Sequence, residues 1–180
     1  MLHICQLVTE CIMNMIKIRP YKSADYKNLK EFMEKLQDFL LKLDPYKLLR
    51  RTKEYGRLYT NETLEKIKKN KGEIYLAEIE VTKGNKKIIG CIAGMIKKPT
   101  KMDNIDHFPI IRGRILELFV EQDIRGKNVG TLLMKEMEKY FKKNKCNIIK
   151  VEVFKPNVRA HRFYEKCGYE ERLIDMVKKI

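Results

Sequence analysis

The run Arg125-Gly126-Lys127-Asn128-Val129-Gly130 joins two basic side chains to residues suited to a tight turn. It lies between a strand-like segment, Ile115 to Val120, and a helix-like one, Val129 to Lys143. A strand, a turn and a helix start in that order aim several backbone N–H groups at one point, and the helix dipole adds positive potential there. This predicts a site for an anionic ligand, a phosphate above all; the alternative is that Arg125 and Lys127 are ordinary surface charges. Asn128 is the non-glycine type that best tolerates a left-handed backbone, so the turn keeps its shape. Glu117 interrupts an otherwise apolar strand. It stands either on a cleft, where it would take a proton from a substrate, or on the solvated side of a twisted edge. Tyr164 shares a helical stripe with Ala160 and Cys167. That pattern favours a core tyrosine; the alternative is a hydroxyl acid with an ordinary pKa of about 10.

Two motifs in order narrow these choices. The anion turn resembles the acyl-CoA motif of the GCN5-related N-acetyltransferase (GNAT) family, Arg/Gln-x-x-Gly-x-Gly/Ala, with Asn128 where glycine is usual. Downstream, Asn157-Val158-Arg159-Ala160-His161-Arg162-Phe163-Tyr164-Glu165-Lys166-Cys167-Gly168-Tyr169 resembles that family's Asn-x-x-Ala-x-x-Phe-Tyr-x-x-x-Gly-Phe. The resemblance is sharp from Arg114 to Tyr169. It implies acetyl-CoA as cosubstrate, with no metal. Phe119 and Val120 would offer main-chain contacts to the pantetheine and the acetyl carbonyl. Arg125, Gly126, Lys127, Asn128, Val129, Gly130 and Thr131 would cradle the pyrophosphate. Asn157 would reach the CoA arm, and Tyr164 would protonate the departing thiolate. It also implies an α/β fold, a single domain with a mostly antiparallel twisted sheet, splayed at the acyl-CoA site and flanked by about four helices.

The elements that must position these residues follow from periodicity. Met15 to Arg19 is a strand stopped by Pro20. Ser23 is set to cap a helix with Tyr26, Leu29, Met33, Leu36 and Leu40 on one face. A second helix is expected near Asn61 to Lys69. Ile74 to Val81 and Lys87 to Ile96 form a hairpin about Gly84-Asn85. Pro99 to Ile111 is a loop, and loops of this length are often functional. A strand from Arg114 to Val120 precedes the turn. The helix from Val129 buries Val129, Leu132, Leu133, Met137, Tyr140 and Phe141. A strand spans Asn147 to Phe154, Asn157 caps the next helix, Gly168 closes it, and Tyr169 to Ile180 is a terminal strand.

Composition bounds the class. With 180 residues, 44% hydrophobic and 35% charged, the chain suits one domain over residues 15–180. No apolar run approaches the length of a membrane span. Five cysteines in odd number and without paired CxxC spacing read as reduced thiols in a cytoplasmic protein. A ping-pong cysteine would need a basic partner that the sequence does not place. Residues 1–14 lack a basic leader and a cleavage site, and read as an extension whose native start is Met13 or Met15, or as an extra element. The net charge of +15 is either a solvated lysine surface or an attraction to anions. No dedicated nucleic-acid motif accompanies it. The resemblance implies transfer of an acetyl group from acetyl-CoA to an amine by direct attack, with Glu117 as base and Tyr164 as acid. The acceptor's identity stays open, and a homodimer is plausible for such a family. The rival is a basic nucleic-acid-binding or CoA-binding module without catalysis.

Overall fold

Residues 16–82 and 84–180 are described by a computed structural model. Among the described residues, five strands form one sheet in the order β1-β2-β3-β4-β5. They are β1 (Ile16–Pro20), β2 (Glu73–Thr82), β3 (Asn85–Lys97), β4 (Arg112–Val120) and β5 (Ile148–Lys150). The first three junctions are antiparallel and β4 runs parallel to β5. Short sequence separation lets β2 and β3 close as a hairpin, whereas the parallel pair needs the helical crossover between Val120 and Ile148. Gly84 takes a positive φ of 84° in the hairpin. Asn85 already pairs with Thr82, so it opens the strand and does not belong to the turn as expected.

Helices cover both faces. These are α1 (Tyr26–Leu43), α2 (Tyr55–Lys69), the single turn α3 (Asp103–Asp106), α4 (Val129–Lys143) and α5 (Val158–Lys166). On one face Leu29, Phe32 and Met33 of α1 pack on Ile74, Leu76, Cys91, Ala93 and Phe119. On the other, Val129, Leu133, Met134, Met137 and Phe141 of α4, with Tyr164 of α5, pack on Ala77, Ile89, Ile92, Ile96 and Ile115. Burying large apolar side chains in this way removes roughly 1.5–3 kcal/mol of unfavourable hydration for each. Phe32 and Met134 join the expected stripes; Phe32 stacks on Phe119 with centroids 4.8 Å apart.

Several local expectations change. Ser23 does not cap α1 with its side chain. It begins a short 3-10 turn, and Asp25 governs the corner by accepting the Lys22 N–H and two bonds from Arg19. Helix α2 begins six residues before Asn61, at Tyr55. Gly56 in its first turn hides that start in the sequence. A Cβ there would lie 2.1 Å from the Glu34 carboxylate, so glycine permits the close approach of α1 and α2. Strand β5 has three residues rather than the whole of Asn147 to Phe154. Residues 169–180 form no strand, and their apolar side chains lie open, Leu173 at 79% and Met176 at 87% exposure. Apolar, β-prone residues mark a segment that fits a sheet but do not supply a neighbour to pair with. The expectation for residues 1–14 lies outside the described residues.

Candidate active site

The site begins with an irregularity in β4. Glu117 pairs with Ala93 and Ile115 with Gly94, so Leu116 has no partner on β3. Such a bulge bends a strand and places two successive side chains on one face. Leu116 and Phe119 pack toward α1, and Leu118 and Val120 toward α4. On the other side, β4 pairs with β5 only from Arg112 to Arg114. The sheet is therefore splayed past Arg114 and Lys150. Glu121 donates its N–H to the Ile89 carbonyl at 2.9 Å. Backbone groups alternate along an antiparallel strand, so the N–H and C=O of Val120 face away from β3, toward that opening.

The turn stands at the end of the opening. Gly126 takes φ 85° and Asn128 takes φ 62°, the left-handed conformation expected for both. Asn128 is the N-cap of α4, and its side chain makes no capping bond. The first bond into the helix is from the Leu132 N–H to the Asn128 carbonyl at 3.1 Å. Among the described residues the N–H groups of Val129, Gly130 and Thr131 have no backbone acceptor. Such donors need a partner from water or from a ligand. Added at Gly130, a Cβ would come 3.2 Å from the Phe163 ring, so the start of α4 sits hard against α5.

Arg125 departs from the picture of a side chain held out for an anion. Its Nε donates to the Val120 carbonyl at 2.8 Å, and its guanidinium lies 5.6 Å from the Phe39 centroid and 5.9 Å from that of Phe119. Burial, and next the charge of Arg159, lower its pKa. It braces the turn against β4 and takes up Val120's carbonyl. Lys127 remains partly exposed on the turn.

Glu117 points toward α2, not to a solvated edge. Tyr59 donates its hydroxyl to the Glu117 carboxylate. Burial pushes the Glu117 pKa up to about 7, against the opposing pull of that hydrogen bond and of Lys66. A carboxylate poised near neutrality is suited to proton transfer. Tyr164 is both a core residue and a neighbour of this charge. It is 9% exposed, with edge-to-face contacts to Phe163 at 5.4 Å and Tyr169 at 5.8 Å. Burial and then the charge of Glu117 raise its pKa, which keeps the phenol protonated. Tyr55 and Tyr59 are the site residues that sequence reasoning missed. They stack at 5.1 Å, and their spacing of four on one helix would have signalled them had the start of α2 been legible.

Helix α5 is held at both ends. The Asn157 Oδ1 accepts the Ala160 N–H at 3.1 Å. At the other end, Gly168 at φ 85° donates to the Glu165 carbonyl and Tyr169 to the Tyr164 carbonyl, a Schellman closure. Both ends match the sequence expectation and set the position of Tyr164. Among the described residues no group of His, Cys, Asp or Glu is arranged to hold a metal ion, and no helix is long and apolar enough to cross a membrane.

Known proteins resemble this chain in sequence and fold. The acetyltransferase (GNAT) family matches residues 33–169. The uncharacterized N-acetyltransferase MJ1530 of Methanocaldococcus jannaschii is 44% identical over 61 residues, 33% of this chain and 39% of that protein. That likeness is therefore to a segment. A second protein of the same organism, the uncharacterized N-acetyltransferase MJ1207, is 26% identical over 98% of this chain and 74% of its own length. The crystal structure of a tetramutant of the BH1408 protein from Bacillus halodurans superposes with a TM-score of 0.77 at 18% identity, covering 91% of this chain and 99% of that one. The family match spans most of the chain and includes both the splayed strand and the turn, and the chain belongs to the GNAT family of acetyltransferases.

Proposed function

We propose that the protein moves an acetyl group from acetyl-CoA to an amine by direct attack while both substrates are bound. The observation that carries this reading is the opening between β4 and β5, with the N–H of Val120 facing it and the uncapped start of α4 at its end. Preorganised backbone donors of this kind suit a pantetheine arm and a pyrophosphate. Phe119 and Val120 would bind the arm through their main chain. Gly126, Lys127, Asn128, Val129, Gly130 and Thr131 would hold the pyrophosphate, with Arg125 as the brace of the turn. Asn157 would use its amide Nδ2 on the CoA arm, because its oxygen is engaged with Ala160.

Glu117 would take a proton from the acceptor's ammonium group, directly or through water. The freed amine then forms the C–N bond at the thioester carbon. The Val120 N–H faces the oxygen on which charge develops. As the C–S bond breaks, Tyr164 would give its proton to the sulfur, and the second proton shed by the new amide nitrogen would return through water to the phenolate. Holding both substrates side by side supplies much of the rate without an enzyme-bound acyl group. Cys91 offers no nucleophile, since it is fully buried and burial drives its thiol pKa up.

Calorimetric titration with acetyl-CoA at two salt concentrations tests the reading, followed by initial-rate kinetics with an amine acceptor. Stoichiometric binding that survives salt and an intersecting initial-rate pattern are expected. Binding that vanishes with salt would favour a polyanion-binding module, and parallel lines would remove direct attack.

A further inference from the structure

The end of β4 remote from the turn concentrates positive charge. Arg112 pairs with Lys97 of β3 and Ile148 of β5, and Arg114 pairs with Lys150. A Cβ on Gly113 would lie 2.7 Å from the Phe141 ring, so position 113 faces α4. Alternation then turns Arg112 and Arg114 to the opposite face, and laterally paired residues share that face. Lys97 and Lys150 thus join the row. Arg172 reaches it from the chain's last segment: burial, Arg172, Arg112, Lys97 and Arg114 together hold the Lys150 ammonium below its ordinary pKa.

Countercharge is sparse. Asp103 meets Arg112 Nη1 at 2.8 Å and Glu152 meets Arg114 Nη2 at 2.6 Å, the latter from a carboxylate 82% exposed. Arg112 is only 9% exposed, and its Nε is buried with no acceptor among the described residues. An unmatched buried donor on a charged group is costly, so the Arg112 guanidinium is left under-partnered by the protein. The bulge puts Glu117 on this same face. Three residues of strand separate it from Arg114, a span of about 10 Å.

On the reading that Glu117 receives the acceptor amine, we propose that the acceptor also bears an anionic group, a carboxylate or phosphate, bound by Arg112, Arg114 and Lys150. The acceptor is then a small amino acid or amino phosphate whose charged ends lie within about 10 Å of each other. A polycationic acceptor would meet repulsion at this row.

Thiol release from acetyl-CoA is followed with matched amines: 6-aminohexanoate against 1-aminohexane, and phosphoethanolamine against ethanolamine. Each is compared in the natural protein and in an Arg114→Gln, Lys150→Gln double variant whose melting temperature is checked first. The anionic member of at least one pair is expected to show a tenfold or greater advantage in kcat/KM. That advantage should disappear in the double variant, chiefly through KM, with acetyl-CoA affinity unchanged. Neutral amines used as well as their anionic partners, or a preference that survives the double variant, would overturn the proposal. A second measurement is independent of turnover. Inorganic phosphate titrated into CoA-saturated protein should raise the melting temperature in the natural protein and not in the double variant. No difference between the two proteins overturns the site even if no amine in the panel reacts. Should acetyl-CoA fail to bind while phosphate still protects only the natural protein, the acetyltransferase reading falls and the anion site stands.

Discussion

The two ends of β4 treat polar groups in opposite ways. From Arg112 to Arg114 the strand has a neighbour on each side, its backbone is engaged, and its side chains carry the charge. From Leu118 to Val120 its only neighbour among the described residues is β3, its side chains are packed into the two cores, and its backbone faces an opening. The bulge at Leu116 divides these regimes, and Glu117 sits at the division. One strand can thus offer main-chain groups to one ligand and side chains to another. Main-chain recognition tolerates change in side-chain identity; side-chain recognition does not.

The sharpest way to break this division is at its centre. Glu117→Gln is expected to lower turnover by about 10³-fold, within the range for loss of a general base. Calorimetry should show acetyl-CoA affinity unchanged; a parallel loss of affinity would mean the two regimes are not separable. In the natural enzyme kcat/KM should rise with pH through about 7, as the carboxylate loses its proton. Stability runs the other way. The folded pKa of about 7 lies above the ordinary 4.5, so the stabilisation belonging to the protonated form is complete below about 4.5 and is lost as pH rises through 7. Glu117→Gln should therefore melt higher than the natural protein at pH 8, by about 1–3 kcal/mol in unfolding free energy. Tyr59→Phe removes the bond that favours the carboxylate, and should move the midpoint of the rate profile upward.

Next in size is Tyr164→Phe, with turnover reduced about 10²-fold and acetyl-CoA affinity kept, read by steady-state rates beside calorimetry. Unchanged turnover would return Tyr164 to a packing role alone. On the backbone side, Asn128→Val forces a β-branched residue into φ 62°, and should weaken acetyl-CoA binding about tenfold. Asn128→Gly should preserve it. The smallest effect is expected at Gly168→Ala, a loss of about 1 kcal/mol in denaturant unfolding from a left-handed helix closure. Acetyl-CoA affinity should stay the same there, since the change lies outside both ends of β4.

What could be read from the chain was local. The left-handed Asn128, the start of α4 at Val129, the Asn157 cap and the Gly168 closure each depend on residues within one or two turns. What could not be read depends on distant partners. Tyr59 and Glu117 are 58 positions apart, and no periodicity links them. Position marks Arg125 as an anion ligand, but that its Nε meets the Val120 carbonyl and its guanidinium lies over Phe39 depends on tertiary contacts. The apolar residues Leu173, Ile174, Met176 and Val177 suggest a terminal strand, and the described fold provides no neighbour for it.

The sequence alone determined the family resemblance, the mixed sheet with its crossover helix, and the turn that presents free N–H groups, because backbone preference and capping act over a few residues. Tertiary structure alone decided where β4 leaves β5, which face Glu117 takes, and that its pKa stands near 7. It also gathered Arg112, Arg114 and Lys150 into one row. Register, burial and the summed field of charges exist only once separate segments have been packed together.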